Sequence, residues 1–273
     1  MQSFVVPIDE LMKKTNPKYN QMNDITAATI YAIPDPSVKA LIPPPLEIAD
    51  PALLIIYVSN IKSPTFTAPY MEGGMGILTK LTDENGVVRT GLYYFSLQLC
   101  GAGSQNAIFM GREEAGLPKK FAGEISLKYA ADKVFLHIKR NGVMLLNAEL
   151  QLGRYNDPHF TYDYTNDGGV LTHRYNSDDA RGLHNMQIFY YNSTTDYSYY
   201  QPAYAKVKLQ SSAHDPWGEI KIAKILGGSL AKNNNAVVDV TKVFTYPDTD
   251  AIAVMQYLYA GRFDPLPKEG GIV

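Results

Sequence analysis

The sequence predicts a mostly β protein with few helices, built as a barrel or a curled sandwich. Tyr, Val, Ile, Phe and Thr recur in runs of four to ten residues, the residue types that suit a pleated, half-buried surface. Turn residues separate the runs at short spacing, as in all-β architectures. In the clearest pair, Val134 to Ile138 and Val143 to Leu150 flank Asn141-Gly142. That dipeptide is preferred in a type I′ hairpin turn because both positions take positive φ.

Taken in order, residues 8–14 and 36–40 are expected to form short helices, with Lys13-Lys14 on a solvated face. Strands are expected over 25–32, 52–58, 76–81, 87–99 and 107–110. A strand-like run follows over 121–129, then the hairpin over 133–152. Further strands are expected over 186–191, 199–209 and 220–226. Residues 190–204 hold six tyrosines among Asn, Ser and Thr. This reads as an amphipathic strand pair with polar tips in water, or as a subunit interface, where tyrosine is enriched. A helix is expected over 249–259, with Asp248 or Thr249 as its cap and Gly261 after its end. Residues 265–273 are rich in Pro and Gly and read as a tail. With no repeat and no linker, residues 1–273 are expected to form one domain.

At 273 residues the chain can bury a full core without disulfides or metals. A net charge of −2 with no basic block gives no reason to expect nucleic acid. The single cysteine, Cys100, rules out an intrachain disulfide and fits a reducing compartment; it reads as a core residue rather than a nucleophile. Residues 1–14 carry Asp9 and Glu10 and no long apolar run, unlike a signal peptide. Apolar runs such as 53–58 are too short to span a bilayer as a helix. The expectation is a soluble cytoplasmic protein.

Several catalytic signatures fail on inspection. The run from Asp163 to Gly168 imitates the start of a calcium loop, but Arg174 stands where a bidentate Glu is needed. Gly101-Ala-Gly103 is followed by Asn106 where a dinucleotide loop needs Gly or Ala. The five histidines show no metal-ligand spacing, so no metal is expected. His214-Asp215 is an acid/base candidate only if two adjacent side chains converge. Asn192-Ser-Thr194 is a glycosylation sequon without a secretory signal.

The informative stretch is 111–120, Gly-Arg-Glu-Glu-Ala-Gly-Leu-Pro-Lys-Lys. Pro118 fixes its own φ and restricts Leu117, and apolar runs lie on both sides of the lysine pair. A free lysine is neutral in only about one molecule in 2,500 at pH 7. Burial or a neighbouring cation favours the neutral amine, which can attack a ketone to form a Schiff base. On pattern alone, a catalytic lysine and a solvated pair both stand.

Gly111-Arg-Glu-x-x-Gly-x-Pro-Lys-Lys120 resembles the active-site segment of the acetoacetate decarboxylase family. Ile42-Pro-Pro-Pro-Leu-Glu-Ile48, Tyr70-Met-Glu72-Gly and His214-Asp-Pro-Trp217 are similar to further stretches of it in the same order. The resemblance implies a cone-like closed β-barrel around an apolar cavity. It implies Lys119 as the Schiff-base nucleophile, Lys120 as its modulator and Glu72 as an acid/base or polar orienter. The chain departs from the family where an early arginine and a second glutamate are expected, with Asp24 and Tyr57 at those places. Those two, with Arg112, are the candidate substrate contacts, although Arg112, Glu113 and Glu114 also read as a loop-holding ion-pair cluster. The implied reaction is decarboxylation of a β-keto acid through an iminium and enamine, without a cofactor. The same lysine would serve an aldolase-dehydratase joining pyruvate to an aldehyde, with Tyr57 as proton donor. A non-catalytic barrel binding a small apolar ligand is the third alternative. The resemblance also implies a homo-oligomer.

Overall fold

The computed structural model describes Val5 and residues 7–15, 21–163 and 168–265. The chain is mostly β, as the sequence predicts. Its strands are β1 (Gln21–Pro34), β2 (Glu47–Ile48), β3 (Leu54–Pro64), β4 (Tyr70–Thr82), β5 (Val88–Cys100) and β6 (Lys119–Phe121). They continue with β7 (Glu124–Ala130), β8 (Lys133–Arg140), β9 (Val143–Leu152), β10 (Gly169–Asp178), β11 (Gly182–Leu209) and β12 (Ile222–Thr245). Three α-helices accompany them among the described residues, α1 (Ile8–Thr15), α2 (Ser104–Ile108) and α3 (Ala251–Arg262).

The strands join as a ring, in the order β10-β5-β4-β3-β1-β12-β11, and β11 pairs back onto β10. All these neighbours are antiparallel except β10 and β5, which meet in parallel at two residue pairs, Gly169↔Gly91 and Val170↔Leu92. An arm of β9, β8 and β7 extends from the far end of β11. Its hairpin forms where Asn141-Gly142 predicts, with φ of 47° and 80° and Arg140 paired to Val143.

Side chains alternate across a strand, and here the alternation divides two environments. Ala28, Ile30, Ile56, Val58, Met75 and Ile77 are buried in the main core, which they share with Val134, Leu136, Ile138 and Leu150 of the arm. The intervening residues Ala27, Thr29, Tyr31, Ile55, Tyr57 and Glu72 line a cavity instead. One sheet therefore closes the core with one face and builds a site with the other.

Three expectations need correction. The strand expected over 107–110 is helical, because α2 continues into a π-helical turn over Phe109–Glu114. A four-residue apolar run does not distinguish strand from helix by periodicity. The last helix is displaced at both ends: Asp250 precedes its first residue with no side-chain cap bond, in place of Asp248 or Thr249, and Gly261 lies inside α3, which runs on to Arg262. The tyrosine-rich stretch is no strand pair, since β11 passes through it unbroken for 28 residues. Residues 164–167 of the calcium-loop look-alike and 266–273 of the expected tail lie outside the described residues.

Candidate active site

β6 is three residues long and runs parallel to β5, with Leu97 opposite Lys119 and Gln98 opposite Lys120. Alternation sends the two lysines to opposite faces. Lys119 and Leu97 line the cavity, and Lys120 and Gln98 are buried behind it.

The cavity holds about 290 Å³. Its walls are mainly apolar and aromatic, including Ile25, Ile55, Leu92, Tyr94 and Val170. Among the described lining residues, Lys119 is the only cation and Glu72 the only acid. They meet at 2.9 Å, Nζ to Oε2, and both are buried. Oε2 accepts no hydrogen bond among the described residues, so the contact is a close ion pair set off the hydrogen-bonding direction. The other carboxylate oxygen, Oε1, accepts a 2.7 Å hydrogen bond from the Tyr57 hydroxyl. Burial, and then the Glu72 charge, push the Tyr57 phenol well above its ordinary value and keep it a donor.

Room for Lys119 comes from the π-helical turn. A Cβ built on Gly111 would stand 2.5 Å from Lys119 Cδ, 2.6 Å from Cε and 2.9 Å from Nζ. Only a glycine lets the lysine lie against this backbone. The Gly-Arg-Glu start of the motif is thus part of the site through its missing side chain.

Lys120 occupies a separate buried cluster. Its Nζ donates to His214 O at 2.9 Å and stands 3.2 Å from both Asp215 Oδ1 and Asp264 Oδ1. Arg140 binds the same two carboxylates, at 2.7 Å to Asp215 and 2.9 Å to Asp264. Gln98 Nε2 adds a 3.2 Å bond to Asp215. Two cations and two carboxylates balance here. Asp215 is a structural partner of Lys120, and the His214 imidazole faces the other carboxylate of this cluster, with Nδ1 3.9 Å from Asp264 Oδ2.

Of the residues singled out in the sequence, Lys119, Glu72 and Tyr57 converge. Asp24 and Arg112 are not brought to the cavity. Asp24 has a positive φ of 50° at an irregularity between Met22 and Ile25, which turns its exposed carboxylate toward Lys62, 3.5 Å away. Arg112 lies behind the lysine segment, donating to Lys119 O at 3.4 Å and Arg262 O at 3.3 Å. It pairs with Glu113 at 2.7 Å, in keeping with the ion-pair reading. The sequence reading placed Gly111 in the lysine motif without a role for it, and missed Gln98, Arg140, Arg262 and Asp264. Among the described residues no group of three or more His, Cys, Asp or Glu is arranged to hold a metal, and no helix is long and apolar enough to cross a membrane.

Residues 6–246 match the family model described as acetoacetate decarboxylase. A protein of Lactiplantibacillus plantarum named CLA biosynthesis isomerase is 29% identical, over 97% of this chain and 95% of its own. The crystal structure of acetoacetate decarboxylase from Legionella pneumophila superposes with a TM-score of 0.70 at 18% identity, covering 83% of this chain and 87% of that one. The enduracididine biosynthesis enzyme MppR, complexed with the condensation product of pyruvate and imidazole 4-carboxaldehyde, gives a TM-score of 0.61 at 12% identity, covering 80% and 87%. At those identities the two solved structures share this chain's fold.

Proposed function

The chain belongs to the acetoacetate decarboxylase family, and from that membership we propose that it is a lysine-dependent enzyme acting on the ketone of an apolar substrate. The observation that carries this reading is the buried Lys119–Glu72 contact of 2.9 Å in a cavity whose described lining holds no other charge. Proton transfer from Lys119 to Glu72 leaves a neutral amine, and Tyr57 holds the carboxyl group in place. The amine adds to the ketone carbon, Glu72 returns its proton to the departing hydroxyl, and loss of water gives an iminium with Glu72 again a carboxylate. The iminium draws electrons from the adjacent carbon and loosens its bonds.

The walls bear on which bond breaks. A carboxylate next to the ketone finds no second cation in the described lining, since Asp24 stands at the family arginine's place and points outward. A base for a carbon-bound proton is present in Glu72. We therefore put isomerisation of an unsaturated ketone first. Glu72 removes a proton from the carbon between the iminium and a β,γ double bond, forming a dienamine. The proton returns at the far carbon, and water releases the conjugated ketone and free Lys119. Atoms and electrons balance with no co-reactant. The relative named an isomerase, matched over nearly the whole of both chains, favours this reading.

β-Keto acid decarboxylation is the second reading, favoured by an apolar wall that strips solvent from a carboxylate (a contested mechanism). It shares the iminium and enamine. The pyruvate–aldehyde condensation follows from the same intermediate with Tyr57 as donor.

Borohydride trapping with mass spectrometry tests the common step, with β,γ-unsaturated long-chain ketones, acetoacetate, longer β-keto acids, and pyruvate with an aldehyde. A stable adduct on Lys119, lost in Lys119→Ala, is expected. Growth of conjugated-enone absorbance without carbon dioxide supports isomerisation, whereas carbon dioxide release supports decarboxylation. If no ketone in the panel leaves an adduct, the proposal fails and the ligand-binding barrel takes its place.

A further inference from the structure

The C-terminal end of α3 grips the lysine segment from behind, at several points. Gly261 lets the helix close in, because a Cβ there would stand 2.3 Å from Phe95 O and 2.9 Å from Pro118 Cβ. Arg262 is buried and forms no ion pair among the described residues. Its Nη2 donates to Gly116 O and to His173 O, both at 2.6 Å, tying the loop before Lys119 to β10. Arg262 O accepts from Arg112, the residue that also binds Lys119 O, and the Phe263 ring lies 5.9 Å from the Arg112 guanidinium. Asp264 accepts from Arg140 at 2.9 Å and stands 3.2 Å from Lys120 Nζ. Three consecutive residues thus reach both flanks of Lys119, none of them through the cavity.

Burying a guanidinium without a carboxylate is costly. The guanidinium lies 5.4 Å from the Tyr175 ring, and an apolar side chain in its place would leave two carbonyls without their donor, so a loss of stability alone does not identify its role. A donor with two N–H groups on one nitrogen fixes both carbonyls at once, and Nη2 supplies them; the carbonyls fixed here belong to the loop that aims Lys119 and to the strand across from it.

We propose that Gly261–Asp264 is a positioning clasp for Lys119, with Arg262 setting the loop at Gly116 and Asp264 holding the Lys120 side of the strand. The consequence for the reaction rests on the lysine-nucleophile reading above. The placement of the Lys119 amine does not, so it can be measured independently. A misplacement of about 1 Å in a reacting group can cost on the order of 100-fold in rate.

The experiment compares wild type with Arg262→Met, Arg262→Lys and the more exposed Asp264→Asn. Thermal midpoint and near-UV circular dichroism report folding. Turnover on whichever ketone traps gives kcat and KM separately. Reductive labelling with propanal and borohydride, read by peptide mass spectrometry, reports the accessibility and aim of Lys119 without a natural substrate, with Lys80 as the surface reference. In folded variants, kcat is expected to fall about 100-fold for Arg262→Met with KM within about threefold. Arg262→Lys should recover part of it, and Lys119 labelling should change relative to Lys80 in all three. Wild-type labelling and turnover in folded variants would overturn the clasp. So would a loss that merely follows the thermal midpoint and vanishes on cooling. If wild-type Lys119 labels with propanal but traps no ketone, the function reading has failed and the labelling ratio alone decides the clasp.

Discussion

Lys120 differs from its neighbour in one respect that matters at the scale of a residue: its charge is already balanced. Asp215 and Asp264 take it up together with Arg140. The proton acceptor we propose for Lys119 is Glu72, the carboxylate 2.9 Å from its amine. Lys120→Met should then act mainly on stability, by breaking one arm of a buried ion-pair cluster. A loss of roughly 3 kcal/mol or more in urea unfolding is expected, with borohydride trapping at Lys119 retained in the surviving folded protein. Gly111→Ala should do the reverse. Its methyl collides with the flexible end of Lys119, which can swing aside, so the unfolding midpoint should hold while turnover falls by about 100-fold. Tyr57→Phe removes the 2.7 Å bond to Glu72 and is expected to lower kcat by about 100-fold, the lower end for a proton-transfer partner. Lys119 and Glu72 were singled out because they fall at motif positions, and Tyr57 because it stands where the family has a second glutamate. Arg140, Asp264 and Arg262 were not, because each acts on a residue more than 70 positions away, and spacing carries no information about such pairs.

Among the elements, β10 carries a pH liability. His173 is fully buried, and burial, reinforced by the Arg262 charge, lowers its pKa to about 3. The Tyr246 hydroxyl donates to Pro44 O at 2.6 Å and therefore accepts from His173 Nε2 at 3.1 Å. This fixes the neutral tautomer with its proton on Nε2. Above pH ~6.5 the imidazole is neutral folded or unfolded and contributes no pH dependence. As pH falls below that, the unfolded chain takes up a proton that the folded one refuses, so stability is lost between pH ~6.5 and about 3. At pH 4.5 the deficit is on the order of 3 kcal/mol, at roughly 1.4 per pKa unit. The drop in urea midpoint between pH 7 and 4.5 should be smaller in His173→Gln than in wild type, and equal drops would refute this assignment. The elements also show where sequence reading stops. The hairpin at Asn141-Gly142 was legible because its turn chemistry is local. The extension of β12 through Asn233, Asn234 and Asn235 was not, because only pairing with β1 and β11 makes those polar residues a strand. The helical stretch over 107–110 was misjudged because so short an apolar run carries no period that separates helix from strand.

Across the whole molecule the β-rich composition pointed to a barrel or a curled sandwich and the family resemblance to the closed form; the structure is a ring of strands with a packed arm. The route by which the ring closes was invisible, because it depends on one short contact. Among the described residues β10 pairs with β5 at Gly169↔Gly91 and Val170↔Leu92, and Gly169, Val170 and Leu92 all line the cavity. This seam joins segments far apart in the chain, and contacts of that kind are entropically expensive and tend to form late. The cavity, whose wall also needs the still longer-range pairing of β1 with β12, is therefore expected to be complete only late in folding. A molecule held inside it should stabilise the finished state while leaving the rate-limiting barrier to folding almost unchanged. A borohydride-trapped adduct on Lys119 is therefore expected to slow unfolding while the refolding rate stays near that of the bare chain. An adduct that speeds refolding instead would mean that the seam zips early.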